Sequence, residues 1–202
     1  MPGVPVIGIV SRLDPQKGFD LIALCIEKIL SLNVQVVLLG TGVPEYHKLF
    51  ERLQKKYPQR LGVALKFDAA LARQIYAGAD MFLMPSRYEP CGLGQLISLK
   101  YGTIPIVRET GGLADTIVDY NSNKRSGNGF IFKEYQAAGL LDAVKRAVDT
   151  FREKTAWTKL MQRAMLADFS WNLSAKEYIK LYKRAINRAK TKKSSQATIQ
   201  VK

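Results

Sequence analysis

Short apolar segments alternate with longer amphipathic segments along most of the chain, and this alternation predicts a sheet with helices packed on it. Six continuous apolar segments, rich in β-branched residues, predict strands at 4–10, 34–39, 62–67, 81–85, 104–108 and 129–132. Apolar positions spaced three or four apart predict helices at 19–32, 44–56, 69–79 and 92–101. Strands without polar alternation are typical of sheets covered on both faces. We therefore predict an α/β fold with a doubly wound, parallel, six-stranded sheet and extra helices towards the C-terminus.

The residues that follow five of these strands are polar, aromatic or glycine. In chain order they are Arg12 and Lys17, Gly40 and Gly42, Phe67 and Asp68, Ser86 with Arg87 and Glu89, and Thr110 with Gly111 and Gly112. Ligands of an open α/β sheet bind outside the carboxyl ends of its strands. We therefore expect the functional site along this rim, where five consecutive strand ends present such groups.

Two of the strand ends carry groups suited to an anion. Arg12 and Lys17 lie on one turn, where a planar guanidinium and a point-charge ammonium can reach the same phosphate. Gly92 and Gly94 open a predicted helix, where small residues and free N–H groups admit a ligand. The alternatives are two solvated cations and a flexible turn. The glycines lack the third glycine of a dinucleotide fingerprint, and no phosphate-loop motif is present, which argues against a nicotinamide dehydrogenase or an ATPase.

Other common catalytic groups are poorly represented. Glu89 stands between an aromatic residue and a proline and can fix a sugar hydroxyl, although an isolated loop glutamate is more often inert. His47, the single histidine, falls on a predicted surface helix and is not expected to be catalytic. Cys25 lies on an apolar helical stripe and is expected in the core. Because the chain has no Asp-x-Asp pair and no Cys/His cluster, we expect no metal and no other cofactor.

The positive charge is concentrated near the C-terminus. The formal net charge is +14, and residues 176–202 hold nine basic residues and one acidic residue. A solvated basic tail, disordered from about Thr191, is the simplest interpretation, with a nucleic-acid or membrane-surface arm as the alternative. Since no apolar segment approaches the ~18 residues that span a bilayer, we expect a soluble intracellular protein.

Several segments together resemble one enzyme family, the bacterial glycogen synthases and plant starch synthases. They lie at 11–18, 89–96, 100–103, 110–116 and 168–171. The resemblance extends in the same order and spacing to about Lys190. That family has two Rossmann-like domains facing each other across a cleft (the GT-B architecture). The resemblance implies that residues 1–190 form its C-terminal, donor-binding half, that 191–202 are a tail, and that the family's N-terminal domain is not represented.

The resemblance also implies a reaction and a site. The family transfers glucose from a sugar nucleotide to the non-reducing end of an α-1,4-glucan with retention of configuration; ADP-glucose is favoured over UDP-glucose. The implied catalytic residues are Arg12, Lys17 and Glu89. The implied donor-binding residues are Gln16, Phe67, Ser86, Cys91, Gly92, Leu93, Gly94 and Gln95. The sequence departs from the family at three positions, where Gly94 replaces Thr, Ala69 replaces Glu, and Ile97 replaces the second Glu of wider relatives.

The partners implied by the family are a nucleotide sugar, a glucan acceptor and the family's N-terminal domain, with no specific nucleic acid and no membrane. The implied location is the bacterial cytoplasm, or the plastid for a plant or algal protein. Two other hypotheses stay open: a non-catalytic sugar-nucleotide or glucan-binding module, and a nucleic-acid binder that uses the basic C-terminus. A predicted helix at 173–189 carries an apolar stripe, which packs either on this domain or on the N-terminal domain.

Overall fold

The computed structural model describes residues 3–121 and 126–199, with side chains described as far as residue 189. The chain divides into two units, Met1–Ala167 and Asp168–Lys202. The domain boundary expected near residue 190 therefore falls inside the second unit, and residues 200–202 of the expected tail lie outside the described residues.

Six parallel strands form the centre of the first unit. They are β1 (Val6–Val10), β2 (Gln35–Leu39), β3 (Leu61–Ala64), β4 (Met81–Met84), β5 (Ile104–Arg108) and β6 (Phe130–Phe132). Their order in the sheet is β3-β2-β1-β4-β5-β6, and every pairing is parallel. This confirms the predicted doubly wound sheet. It also places the switch point in strand order between β1 and β4, which is where such sheets bind ligands.

Helices connect the strands and cover the sheet. They are α1 (Phe19–Leu30), α2 (Pro44–Lys56), α3 (Ala69–Gly78), α4 (Gly94–Tyr101), α5 (Gly111–Thr116), α6 (Ala137–Arg152) and α7 (Lys154–Leu166), with a 3-10 turn at Pro15–Lys17. Asp68 caps α3, because its carboxylate accepts from the N–H groups of Ala70 and Leu71. The sequence analysis did not predict α5 as a separate helix, since six residues are too few to show helical periodicity.

The core lies on both faces of the sheet, as the continuous apolar strands predicted. Ile7, Leu38 and Ile106 are completely buried, α1 packs beside α6, and α6 packs on β5 and β6. Cys25 is 2% exposed, which confirms its place in the core, and burial raises the pKa of its thiol to about 11. The first strand begins at Val6 and not at Val4, because Pro5 has no N–H to give to a neighbouring strand.

The second unit is dominated by one long helix, α8 (Trp171–Ile199). The Asp168 carboxylate accepts from the Ser170 N–H at 2.8 Å just before it, and Glu177 pairs with Lys180 along its surface. The helix includes residues 191–199, which composition placed in a disordered tail. The lysine, arginine and alanine residues of α8 favour helix. Among the described residues, no helix is both long and apolar enough to cross a membrane.

One glycine brings the turn after β1 against the end of β4. Gly18 has a φ of +81°, and a Cβ added to it would lie 2.2 Å from the Pro85 carbonyl oxygen. Only glycine accepts both the left-handed backbone and this approach without strain. The contact holds the segment that carries Lys17 close to the loop that follows β4.

We predict that Gly18→Ala lowers the free energy of unfolding by about 2 kcal/mol or more, through left-handed strain and overpacking against Pro85. The matched control is Gly78→Ala, because an added Cβ at Gly78 meets nothing within 4 Å. That control is expected to be neutral or to stabilise by up to about 1 kcal/mol. Urea denaturation of the two variants measures the difference, and equal stabilities would contradict the packing account.

Candidate functional site

A cavity of about 220 Å³ opens at the switch point, between the carboxyl ends of β1 and β4. Its lining includes seven residues expected from the sequence: Arg12, Lys17, Ser86, Glu89, Gly92, Leu93 and Gly94. The turn after β1 supplies the two cations. The loop after β4 and the first residue of α4 supply the others. Tyr76, on α3, also lines the cavity and was not singled out by the sequence analysis.

An ion pair joins the two sides of the cavity. The Lys17 ammonium donates to Glu89 Oε2 at 2.7 Å, and the Ser86 hydroxyl donates to the same oxygen at 3.1 Å. The side chains are 20% and 8% exposed, so Glu89 is not the inert surface carboxylate that an isolated loop residue suggests. An ammonium has three donors, so two remain on Lys17, and Glu89 Oε1 accepts from none of the described residues.

Arg12 supplies a second, more accessible cation. Its side chain is 68% exposed, and its Nη1 lies 3.3 Å from Asp14 Oδ2. Asp14 also shapes the turn, because its other carboxylate oxygen accepts from the Lys17 N–H at 3.0 Å. The same aspartate thus fixes the turn that presents both cations to one cavity, while most guanidinium N–H groups remain open to a ligand.

The loop before α4 is held from behind by a buried amide. Gln95 is fully buried, and its Nε2 donates to the carbonyl oxygens of Cys91 at 3.1 Å and Gly92 at 2.9 Å. The backbone N–H groups of Cys91, Gly92 and Leu93 donate to no acceptor among the described residues. Gln95 therefore acts on the loop and does not line the cavity, whereas three consecutive N–H groups are left free beside a helix N-terminus.

Glycines after the other strands support the site loops and do not line the cavity. Gly112 donates its N–H to the Glu89 carbonyl at 3.0 Å, and a Cβ on it would lie 2.0 Å from the Cys91 oxygen. A Cβ on Gly42 would lie 2.3 Å from the Leu13 oxygen. The five strand ends expected along one rim have different roles toward this cavity. The ends of β1 and β4 line the cavity, and the glycines after β2 and β5 hold those two loops by close backbone packing.

Three expected donor-binding residues lie on the surface outside the cavity lining. Phe67 is 90% exposed, at the end of the loop that leads into α3. Gln16 is exposed, and its carbonyl accepts from the Arg87 N–H at 2.8 Å. Cys91 is exposed and unpaired. Their assigned roles, like that of Gln95, stay predictions.

A polar cluster beside the cavity was missed by the sequence analysis. The Arg87 guanidinium pairs with Asp20 at 2.8 Å and stacks over the Tyr135 ring at 4.1 Å, and the Tyr135 hydroxyl donates to the same carboxylate. Arg108 donates to the carbonyl oxygens of Ser86 and Arg87. Burial, together with Asp20, holds the pKa of Tyr135 above its ordinary value. The only sequence signal was an arginine at a strand end, because Tyr135 lies 115 residues from Asp20.

The described part of the chain places no three His, Cys, Asp or Glu side chains close enough to hold a metal ion. His47 has a local structural role, since its Nε2 accepts from the Gly42 N–H at 3.0 Å. It thereby stabilises the loop after β2.

A doubly wound parallel sheet with two cations and free amides at its switch point defines an α/β domain whose cavity is suited to an anionic ligand. Residues 2–160 match the model of the family Glycosyl transferases group 1, and the chain belongs to this family.

Within that family the chain is homologous to glycogen synthases. It is 54% identical to the glycogen synthase of Thermosipho africanus over 186 residues, which are 92% of this chain and 38% of that protein. It is also 54% identical to the glycogen synthase of Kosmotoga olearia, over 91% of this chain and 39% of the relative. The chain therefore spans about two fifths of the length of these relatives.

Solved structures agree with this placement. The catalytic domain of starch synthase IV from Arabidopsis thaliana, solved with ADP and acarbose, superposes with a TM-score of 0.82 at 38% identity. The match covers 93% of this chain and 39% of that structure. The C-terminal domain of a group 1 glycosyl transferase from Francisella tularensis has a TM-score of 0.63 at 18% identity, over 80% of this chain and 84% of that domain, and shows the shared fold.

We predict that the two ends of the ion pair differ in their effect on stability. Lys17→Met leaves a nearly buried carboxylate without its cation and lowers the free energy of unfolding by about 2 kcal/mol. Glu89→Gln keeps an oxygen that accepts from the Lys17 ammonium, and Lys17 is partly exposed to solvent. This variant therefore lowers the free energy of unfolding by about 1 kcal/mol or less. Urea denaturation at neutral pH measures both, with Lys145→Met on α6 as the surface control. Equal losses would contradict the buried-carboxylate account.

Proposed function

We propose that this chain is the donor-binding domain of a glycogen synthase, which binds ADP-glucose for transfer of glucose to the non-reducing end of an α-1,4-glucan. One observation carries the proposal: the Lys17–Glu89 pair lines the cavity with unused donors on one side and an unused acceptor on the other. A sugar nucleotide needs both, since its diphosphate accepts hydrogen bonds and its sugar hydroxyls donate them.

The cations are suited to the departing diphosphate. Negative charge on that group increases as the glycosidic bond to it breaks, so fixed cations stabilise the transition state more than the ground state. Lys17 offers two free ammonium donors and Arg12 offers a largely free guanidinium. The N–H groups of Cys91, Gly92 and Leu93 add neutral donors at the N-terminus of α4.

The carboxylate is suited to the transferred sugar. Ser86 and Lys17 both donate to Glu89 Oε2, so Oε1 is available to accept from a glucose hydroxyl. Glu89 is the only carboxylate in the described lining of the cavity. A mechanism with two flanking carboxylates therefore finds no second carboxylate among the described residues that line the cavity. We propose front-face attack assisted by the leaving phosphate, as the resemblance to the synthases implies.

The nucleobase is the less constrained part of the proposal. Phe67 presents an almost fully exposed ring that can stack on adenine, and this stacking would bury the ring when the nucleotide binds. The Arabidopsis relative was solved with ADP, and this supports ADP-glucose over UDP-glucose. The bacterial relatives support a bacterial cytoplasmic location for the protein.

The second candidate is a binding module without turnover of its own. The chain spans only about two fifths of its relatives, so acceptor binding and catalysis are proposed for the complete enzyme. Large apolar side chains on α8, among them Tyr178, Tyr182 and Ile186, are half exposed. We propose that they pack on the family's N-terminal domain, and that residues 1–190 contribute the donor half of the enzyme.

We predict that the chain binds ADP and ADP-glucose, and that Arg12→Ala and Lys17→Ala each weaken ADP binding by about tenfold or more, since each removes a charged hydrogen bond to phosphate. Isothermal titration calorimetry measures both, with Lys145→Ala as the charge-matched control. If neither site variant changes affinity, the phosphate assignment is wrong. A loss of binding on moderate addition of salt, with equal affinity for unrelated nucleic acid, would favour the basic C-terminus as the anion site.

We predict that the purified 202-residue chain does not elongate glycogen from ADP-glucose, although it binds the donor. Incorporation of labelled glucose into glycogen measures this, with a full-length homologous glycogen synthase as the positive control. Sustained turnover by the chain alone would contradict the proposal that catalysis needs the family's N-terminal domain as well as the donor-binding domain.

A further inference from the structure

Tyr76 places a hydroxyl in the cavity that no part of the described protein uses. The side chain is 8% exposed, and the residue lines the same cavity as Arg12, Lys17 and Glu89. Its hydroxyl makes no hydrogen bond to any described residue. The hydroxyl is not one of the buried polar atoms without a partner, so its oxygen is accessible from the cavity. The hydroxyl is therefore available to a ligand bound in the cavity.

The position of Gly94 keeps this hydroxyl accessible. A Cβ added to Gly94 would lie 3.2 Å from Tyr76 Oη and 3.0 Å from the Phe82 ring, so any larger residue would crowd the hydroxyl. Gly94 is also the first residue of α4. The hydroxyl thus stands beside the helix end at which backbone N–H groups lack intrahelical acceptors and negative charge is favoured.

The ring is held firmly, so that the hydroxyl has a fixed place. It packs on Phe82 with ring centroids 4.6 Å apart, and Phe82 is itself completely buried in β4. The Tyr76 carbonyl is fixed as well, because it accepts from the Thr103 hydroxyl. Burial raises the pKa of Tyr76 to about 12, so the hydroxyl stays protonated and neutral at physiological pH.

We infer that the Tyr76 hydroxyl is a further donor-binding group, which gives a hydrogen bond to a phosphate oxygen of the nucleoside diphosphate at the N-terminus of α4. This inference rests on the proposed function and adds a neutral donor to its two cations. A hydroxyl suits this place because Lys17 is already shared with Glu89. The Tyr76 hydroxyl can bind the diphosphate without placing a further positive charge next to Lys17.

The test is calorimetric binding of ADP to the full chain and to Tyr76→Phe, which keeps the ring packing on Phe82 and removes only the hydroxyl. The expected result is an affinity for ADP lowered about tenfold, with a melting temperature close to that of the unchanged chain. Tyr101→Phe is the matched control, because Tyr101 is half exposed on α4 and does not line the cavity. Tyr76→Met, whose flexible thioether fills an irregular gap, should lose ADP affinity to the same degree.

Competition by adenosine identifies the group that the hydroxyl touches. If the Tyr76 hydroxyl binds phosphate, Tyr76→Phe lowers the affinity for ADP and leaves the affinity for adenosine unchanged. Unchanged ADP affinity in Tyr76→Phe, alongside a clear loss in Arg12→Ala, would overturn the inference and leave the proposed function intact. An equal loss for adenosine would overturn the phosphate contact. Failure of the unchanged chain to bind ADP at all would instead overturn the proposed function.

Discussion

The contact between the Lys17 ammonium and the Glu89 carboxylate joins the two loops that form the site. Charges with this little exposure are stabilised by being paired and hydrogen-bonded. Here the 2.7 Å contact and the Ser86 hydroxyl satisfy one carboxylate oxygen. The other oxygen and two ammonium donors are left for a ligand. The ion pair therefore stabilises the joined loops and, through the groups it leaves unused, makes the cavity chemically suited to a ligand with both phosphate and hydroxyl groups.

Backbone packing explains why these loops can meet so closely. Gly18 lies against the Pro85 carbonyl, and Gly112 lies against the Cys91 carbonyl, at distances that exclude any side chain. The buried Gln95 amide then holds two carbonyls of the loop, and the N–H groups of Gly92 and Leu93, which line the cavity, have no acceptor among the described residues. A site whose groups are fixed by packing and by hydrogen bonds from behind needs little reorganisation when it binds a ligand.

The proposed recognition of an anion does not require the large net charge of the chain. Nine of the 31 basic residues belong to the last 27 positions, whereas the cavity uses two cations on one turn together with neutral amides and hydroxyls. Exposed charges separated by more than about 10 Å are screened at moderate salt, while groups in a partly closed cavity are screened much less. Local geometry therefore governs the proposed chemistry, and the basic helix α8 adds a general field.

The order of strands and helices followed from the sequence alone, because apolar runs and helical periodicity are local. The placement of Arg12, Lys17 and Glu89 at one edge of the sheet also followed from the sequence, since residues that come directly after parallel strands lie at the same edge. The position of α5, the start of β1 and the helix over 191–199 were not predicted, because short elements and their ends depend on neighbours. Only the tertiary structure decided which strand ends line the cavity and that Gln95 holds the loop from behind. It also decided that Tyr76 lines the cavity and that Tyr135 joins Asp20 and Arg87 beside it. Those outcomes depend on contacts between residues far apart in the chain, and the local pattern of apolar positions carries no information about such contacts.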